Sequence, residues 1–177
     1  MLLVLVLLLA GSGCGGEGED TAQQQQETPE TAPEGVEGFQ SLGREHMDGV
    51  ITYSLAPPVG GAHSPLWQNC GFYERRVRDE YAVHSMEHGA VWITYAPDLP
   101  QEQKDALREL ASGQPYVLAS PYPELPAPVV ALAWGYRLLL EGTDDPRLQQ
   151  FVDTFQQGPQ TPEPNEPCAT GGIGEPE

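Results

Sequence analysis

The chain has few basic residues. Its 177 residues include 8 Lys and Arg against 26 Asp and Glu, which gives a formal net charge of −18. Nothing offers a basic stripe to a phosphate backbone, since Arg75, Arg76 and Arg78 are too few and such a cluster is more often a solvated face. The composition therefore argues against a nucleic-acid partner. Internal repeats are also absent, so we expect one domain.

The N-terminus has the pattern of an export signal. Residues 1–10 form an apolar run that is too short to span a bilayer as a helix but has the size of the apolar core of a secretory signal. Small residues then lead into Cys14, as at the bacterial lipoprotein processing site. We expect residues 1–14 to be a signal segment and Cys14 to be lipid-modified. A retained anchor and an ordinary cleaved signal are the alternatives, and each places the domain outside the cytoplasm.

The chain next to the signal has few apolar residues. Residues 15–38 contain acids, a glutamine run and prolines, but no base. This composition predicts a disordered acidic, Gln-rich linker that tethers the domain to the outer face of the cytoplasmic membrane. Residues 39–168 are then one globular domain with a single hydrophobic core, and residues 169–177 are a flexible tail.

Cysteine is rare, with three in the whole chain. If Cys14 carries a lipid, Cys70 and Cys168 remain as a pair in an oxidising compartment, and we expect a disulfide between them. Closing a loop of about 100 residues would stabilise the fold by roughly 4 kcal/mol in the chain-entropy model. The alternative is that Cys70 is a thiolate metal ligand.

The hydrophobic pattern predicts strands and helices along one domain. Strands are expected at residues 50–55, 90–95, 116–119 and 129–134, and helices at residues 97–113 and 144–158. About thirty residues after position 55 have the pattern of a long ordered loop, which is usually functional or cross-linked. The expected fold is α+β: a single compact domain with a small mixed sheet packed by two amphipathic helices, with long ordered loops.

The segment YAVHSMEHGAVWITY, residues 81–95, is the most informative stretch. It places His84, Met86, Glu87 and His88 within five residues, directly before a strand-like run. In a helical turn His84 and His88 lie at i and i+4 on one face. In an extended chain His84, Met86 and His88 alternate onto one side. Both conformations allow two metal ligands, so the segment predicts a metal site, with Glu87 as a further candidate.

Additional ligands are expected from the flanking loops, which contain His46, Met47 and His63. Imidazole and thioether groups favour copper over magnesium or calcium, which prefer oxygen, and zinc is the alternative metal. A plainer interpretation stays open. Met86 would then fill the core, one histidine would bond a carbonyl, and Glu87 would pair with an arginine. The protein would in that case be a non-catalytic interaction domain with structural histidines.

Two enzyme classes use the same residues. His84, Glu87 and His88 spell H-x-x-E-H, the order in one class of zinc peptidases, where the histidines hold zinc and the glutamate activates water. That motif needs a stable helix, whereas Gly89 and a β-branched strand follow at once. A nucleophilic enzyme has less support, because Ser85 lacks nucleophile-elbow glycines and an obvious Asp partner. We assign no catalytic residue and expect an extracytoplasmic, membrane-tethered protein that handles copper.

Several short motifs resemble the bacterial domain-of-unknown-function family 3105 over about residues 40–168. The most specific is HSMEHG, and the others are PPVGGAH from Pro57, NCGFY from Asn69, AWG from Ala133 and GPQTPE from Gly158. The resemblance implies an exported or membrane-tethered domain of no settled activity. It transfers no catalytic role to the histidines and glutamate that fall in the matching motifs.

Overall fold

The computed structural model describes residues 27–40 and 42–177. The predicted signal segment, Cys14 and the first half of the predicted linker lie outside the described residues. The described part forms one mixed sheet with three helices, which confirms the α+β class. No helix within the described ranges is long and apolar enough to cross a membrane.

Nine elements follow one another in the described part of the chain. They are β1 (Glu37–Gly38), β2 (Gly71–Phe72), α1 (Asp79–Glu87), β3 (Val91–Tyr95), α2 (Gln101–Gly113), β4 (Val117–Pro121), β5 (Val129–Ala133), β6 (Tyr136–Leu140) and α3 (Pro146–Phe155). The strand order is β1-β6-β5-β3-β4-β2. β2, β3 and β4 run parallel, whereas β5 pairs antiparallel with β3, β6 with β5, and β1 with β6.

Two crossovers build the parallel half of the sheet. The chain passes from β2 through α1 to β3 beyond the position of β4, and returns from β3 through α2 to β4. Because right-handed crossovers in opposite directions place their helices on opposite faces, α1 and α2 should be separated by the sheet. The core agrees. Val83 and Met86 of α1 cluster with Trp92, whereas Leu107 of α2 clusters with Ile93, the next residue of β3.

Helices α2 and α3 follow the amphipathic pattern in the sequence. α3 begins with Pro146 directly after Asp145, whose carboxylate accepts a hydrogen bond from the Arg147 N–H at 2.9 Å. A capping acid followed by proline at the first position is a strong start signal. α2 begins at Gln101, four residues after the predicted start, because the preceding residue Pro100 has an extended backbone.

Residues 50–55 form no strand, so that prediction was wrong. Val50 is 88% exposed, and the Ile51 N–H donates to the Glu80 carboxylate of α1 at 2.9 Å. The Ile51 N–H is therefore hydrogen-bonded to a side chain of α1 and not to a neighbouring strand. The β-branched residues alone do not make a strand without such a neighbour.

The domain extends beyond its predicted limits at both ends. β1 lies within the predicted linker, yet Glu37 pairs with Arg137 of β6 and Ala32 packs against the core. In the predicted flexible tail, Ile173 forms a β-bridge with Gln68. Residues 27–38 and the C-terminal tail therefore belong to the folded domain.

Cys70 and Cys168 form the predicted disulfide, across a sequence separation of 98 residues. The Cys70 N–H also donates to the Cys168 carbonyl at 2.7 Å. The disulfide excludes Cys70 as a thiolate ligand. It also fixes the C-terminal tail against the loop that leads into β2.

Candidate metal centre

All four histidines of the chain meet in one cluster, although the sequence separates them by up to 42 positions. The ring centroids of His46, His63 and His84 lie 4.8 to 5.0 Å apart, and those of His84 and His88 lie 4.5 Å apart. His46, His63 and His84 each offer a ring nitrogen within 4.8 Å of the other two, so that a small inward movement would let them share a metal ion. The structure therefore brings together every histidine that the sequence indicated.

Helix α1 positions two of these rings and a carboxylate. His84 lies one turn before His88, and Glu87 lies beside them on the same face. Gly89 ends the helix with φ of +95°, where any side chain would collide with Gln157. Of the two conformations compatible with the sequence, this segment adopts the helical one.

The other two rings are positioned by backbone pairing. His46 and His63 form a parallel β-bridge, in which the Met47 N–H donates to the His63 carbonyl at 2.7 Å and the His63 N–H donates to the Glu45 carbonyl at 3.0 Å. We call residues 44–49 the strap. Its far end is held by Arg78, which donates to the Gly49 carbonyl at 2.8 Å.

Three of the rings are oriented by main-chain carbonyls. The Nδ1–carbonyl distances are 2.8 Å for His63 with Gly61, 2.6 Å for His84 with Ser64, and 2.8 Å for His88 with Pro167. A carbonyl oxygen only accepts, so Nδ1 carries the hydrogen in each ring. When neutral, each ring presents an Nε2 lone pair to the cluster. Metal-binding histidines are commonly held in this way.

The Nε2 atoms face other acceptors. His84 Nε2 and His88 Nε2 are 2.9 Å apart. His63 Nε2 lies 2.8 Å, and His46 Nε2 3.4 Å, from Oε2 of Glu87. Since the Nδ1 hydrogens of the three buried rings are used elsewhere, lone pairs meet at these short distances and repel each other unless a proton or a metal cation lies between them.

The pKa values of His84 and Glu87 favour the protonation states in which these groups bind metal ions. Burial lowers the pKa of His84 to about 4, and the neighbouring His88 and His63 act in the same direction. Burial alone would raise the pKa of Glu87, but its contacts with the His63 ring and the Arg44 guanidinium outweigh burial and lower this pKa to about 2. At neutral pH His84 is a neutral imidazole and Glu87 is a carboxylate. Both can donate electron pairs to a metal.

The site is closed on most sides. His63, His84, Glu87 and His88 are buried, whereas the side chain of His46 is 46% exposed. Indole rings of Trp67 and Trp134 lie against the buried histidines, with ring centroids 5.1 to 5.9 Å away. An apolar shell of this kind limits water access. The strap, which carries His46, is the exposed side.

The two candidate methionine ligands lie in different places. Met86 is fully buried in the apolar cluster that contains Trp92, because a residue two positions from His84 points to the other side of a helix. Met47 is 50% exposed on the strap, next to His46. The groups that meet are therefore four imidazoles and one carboxylate. Thioether coordination stays a prediction.

Arg44 also contacts the site, although no pattern in the sequence indicated it. Its Nε donates to Oε1 of Glu87 at 3.0 Å, and its Nη2 lies 3.5 Å from the Glu163 carboxylate. The three orienting carbonyls are equally invisible to sequence patterns, because any residue can supply a carbonyl. Only the structure reveals these partners.

Neither a curated protein nor a solved structure matches the chain. The sequence profile of the family described as "Protein of unknown function (DUF3105)" matches residues 44–170. This range begins with the strap and contains all four histidines, Glu87 and both bonded cysteines. It covers well over half of the chain and confirms the resemblance drawn from the short motifs. The chain belongs to this family.

Proposed function

We propose that this protein binds a metal ion at the histidine cluster and handles copper outside the cytoplasm. The observation that carries the proposal is the orientation of the rings: three Nδ1–H groups are directed to carbonyls, the Nε2 atoms of His84 and His88 face each other, and the Nε2 atom of His63 faces Glu87. A cation at this point replaces repulsion between lone pairs with coordination.

The donor types support copper. Imidazole suits copper and zinc, whereas magnesium and calcium require mostly oxygen ligands. If His84 Nε2 and His88 Nε2 each lie about 2.0–2.1 Å from one ion, their separation of 2.9 Å corresponds to an angle of about 90° at the metal. Tetrahedral zinc would require roughly 3.3 Å between the nitrogens. The shorter spacing favours the tetragonal geometry of Cu(II).

Movement of the strap would bring the ring nitrogens close enough together to bind one ion. Donors bound to one ion at about 2.0–2.1 Å can be no more than about 4.2 Å apart. The nitrogens of His46, His63 and His84 lie within 4.8 Å of one another, so the site must contract by a few tenths of an ångström. His46 is half exposed and can move toward the buried rings. It is the ligand that we expect to capture an incoming ion.

Zinc-dependent hydrolysis is a weaker alternative. A hydrolytic H-x-x-E-H site needs its glutamate free to activate water. Here Glu87 contacts Arg44, His63 and His46, and its pKa is lowered to about 2, which makes it a poor base. A carboxylate with these contacts is better suited to balance the charge of a bound cation.

The proposed compartment follows from the chain outside the cluster. The disulfide suits an oxidising space. An apolar segment followed by Cys14 suits lipid attachment at the outer face of the cytoplasmic membrane. A Cys14→Ala variant should leave the membrane fraction, and the wild type should carry an acyl chain by mass spectrometry. A variant that stays with membranes, together with an unmodified wild type, would refute the lipid anchor.

Metal titration tests the proposed function. The wild type should bind Cu(II) more tightly than Zn(II), with Cu(I) titrated in parallel, and a His84→Ala, His88→Ala variant should lose the site. Ser85→Ala is the matched control, because this buried hydroxyl of α1 bonds the Gln68 and Tyr81 carbonyls rather than the histidine rings. Equal affinities in the wild type and the double variant would refute metal binding. The histidines would then be structural.

Met86→Leu and Met47→Leu test the thioether prediction separately. Leucine keeps the volume of Met86 in the core. Unchanged copper affinity in both variants would assign coordination to the imidazoles and Glu87 alone. Weaker Cu(I) binding in Met47→Leu would add this exposed sulfur to the ligand set.

A further inference from the structure

Arg44 brings a permanent positive charge to the edge of the histidine cluster. Its Nε donates to Oε1 of Glu87 at 3.0 Å. Oε2 of the same carboxylate lies 2.8 Å from Nε2 of His63 and 3.4 Å from Nε2 of His46. The guanidinium and the two rings therefore contact the two oxygens of one carboxylate. An ion held by the rings would lie one carboxylate group away from a cation that stays charged at any physiological pH.

The position of Arg44 is fixed from two sides. Arg44 begins the strap, which the Met47 N–H holds to the His63 carbonyl at 2.7 Å. On the other side, the Glu163 N–H donates to the Glu87 carbonyl at 3.0 Å, and the Glu163 carboxylate lies 3.5 Å from Nη2 of Arg44. The contact between Arg44 and Glu87 is therefore part of the folded site rather than a chance pairing on the surface.

Two opposite charges thus act on the cluster. The side chain of Glu87 is 1% exposed, so water screens its charge little, and the rings meet this carboxylate directly. The side chain of Arg44 is 51% exposed, so water screens part of its charge. Arg44 offsets the negative charge of Glu87 to a large extent but not fully.

This balance affects the two common oxidation states of copper differently. Cu(II) carries one more positive charge than Cu(I), so a neighbouring anion strengthens the binding of Cu(II) more, and a neighbouring cation weakens it more. Glu87 alone would therefore favour Cu(II), as does the spacing of the His84 and His88 nitrogens. Arg44 acts in the opposite direction and favours Cu(I).

We propose that Arg44 sets the balance between Cu(I) and Cu(II), and that it keeps the two affinities close enough for the site to hold copper in either state. Because it concerns the bound metal, this role rests on the proposed function. In the described part of the chain, the ionic contacts of Arg44 are with the carboxylates of Glu87 and Glu163 rather than with the rings. Arg44 is therefore a positioning residue, which acts through Glu87 and through its own charge.

Arg44→Gln tests this role, because it removes the charge and keeps a polar side chain. Competition with bicinchoninate for Cu(I) and with nitrilotriacetate for Cu(II) gives the two dissociation constants and their ratio. The ratio should shift toward Cu(II) by about tenfold, as expected for one partly screened unit charge several ångströms from the ion. Simple loosening of the site would weaken the binding of both ions and would not favour Cu(II).

Arg44→Lys separates the charge from the guanidinium. Both Arg44 variants lose the guanidinium, but the lysine variant keeps the positive charge and should keep the wild-type ratio. Comparing the two variants keeps the test valid even if loss of the guanidinium disturbs the strap.

Arg78→Gln is the matched control for the strap and for general charge. Arg78 holds the far end of the strap at the Gly49 carbonyl and pairs with Glu80. Its loss can weaken the binding of both ions by loosening the strap, but the ratio should stay as in the wild type.

The outcomes separate the role of Arg44 from the metal site itself. A wild-type ratio in Arg44→Gln would overturn the role of Arg44 and leave the copper site standing. An equal shift in Arg44→Lys or in Arg78→Gln would overturn it as well, because the charge beside Glu87 would then not be the cause. A wild type that binds neither Cu(I) nor Cu(II) would instead refute the proposed function, and the role of Arg44 with it.

Discussion

The two faces of the sheet bury different kinds of residues. On one face, α2 and α3 bury only apolar side chains, Leu107, Ala111, Leu148, Phe151, Val152 and Phe155. On the other, α1 buries Glu80, His84, Ser85 and Glu87 together with its apolar residues. Burying polar groups costs free energy unless they are hydrogen-bonded. The first face is built for stability. The second face buries polar groups, whose burial costs free energy, and holds them with specific hydrogen-bond partners.

The comparison teaches where function is located in this fold. Every buried histidine of the second face uses Nδ1 for a carbonyl and directs Nε2 inward. If stability alone had selected this face, apolar residues would have served better. Substitutions on the two faces should therefore have separable effects, on unfolding for the first and on metal affinity for the second.

The largest effect on stability is expected from Phe151→Ala. Phe151 is fully buried in the cluster between α3 and the sheet, in ring contact with Phe155. Its truncation should lower the free energy of unfolding by about 3–5 kcal/mol, measured in urea. Copper affinity of the folded variant should be unchanged. A loss of metal binding in a folded Phe151→Ala variant would show that the two faces are not separable.

Removal of the disulfide should affect both quantities. The Cys70→Ser, Cys168→Ser variant should lose about 2–5 kcal/mol of stability, because the unfolded chain regains the freedom of a long loop. It should also bind copper more weakly. Cys168 follows Pro167, whose carbonyl orients His88, so the C-terminal tail that it anchors helps to hold a ligand.

A calorimetric titration of the folded double serine variant measures the second effect. Undiminished copper affinity would mean that the other contacts of the tail suffice to orient His88. Phe151→Ala serves as the control here, because it lowers stability without touching the tail.

Glu87→Gln should act on the metal rather than on the fold. The substitution removes the negative charge that contacts His63, His46 and Arg44. We expect copper affinity to fall by about 10–100-fold, as for other partners of metal ligands. Glu80→Gln is the matched control on the same helix, since Glu80 bonds the Ile51 N–H and Arg78 away from the rings. Equal losses in the two variants would contradict a specific role for Glu87.

The smallest effect concerns pH, and it differs in sign between His84 and Tyr95. The pKa of His84 falls from 6.5 to about 4 on folding, so the unfolded chain binds an extra proton in this window and metal-free protein loses stability as pH falls through it. Burial raises the pKa of Tyr95 on the opposite face from 10.0 to about 12, so stability is lost as pH rises through that window.

Urea unfolding at several pH values measures the loss of stability at both acid and alkaline pH. Tyr95→Phe should reduce the loss of stability at alkaline pH only in part, because burial also raises the pKa of Tyr122 to about 12, and it should leave the loss at acid pH unchanged. If a His84→Leu variant still loses the same stability as pH falls, other groups control stability at acid pH.

The sequence predicts the apolar face better than the polar one. α2 and α3 have apolar residues at helical spacing, and β3, β4 and β5 have short apolar runs. α1 is not predicted as a full helix, because buried polar residues erase its periodicity. β6 is also missed, although the two-residue turn at Trp134-Gly135, with Gly135 at φ of +79°, is a hairpin signal.

The site was accessible from the sequence only in part. Residue types and local spacing indicate His84 and His88, and the scarcity of histidine makes His46 and His63 natural candidates. Their convergence depends on a β-bridge between distant loops. The orienting carbonyls and Arg44 depend on tertiary structure alone. The separation of Met86 from the rings follows from the helical conformation, which the sequence left open.

The most direct test of the central claim is a crystal structure of the protein with Cu(II), analysed with anomalous scattering at the copper edge. We predict one anomalous peak between the Nε2 atoms of His63, His84 and His88, with His46 drawn in from the strap. Glu87 should lie within contact of the metal or of its ligands. Absence of a peak among the four rings, or copper bound only at surface carboxylates, would contradict the account.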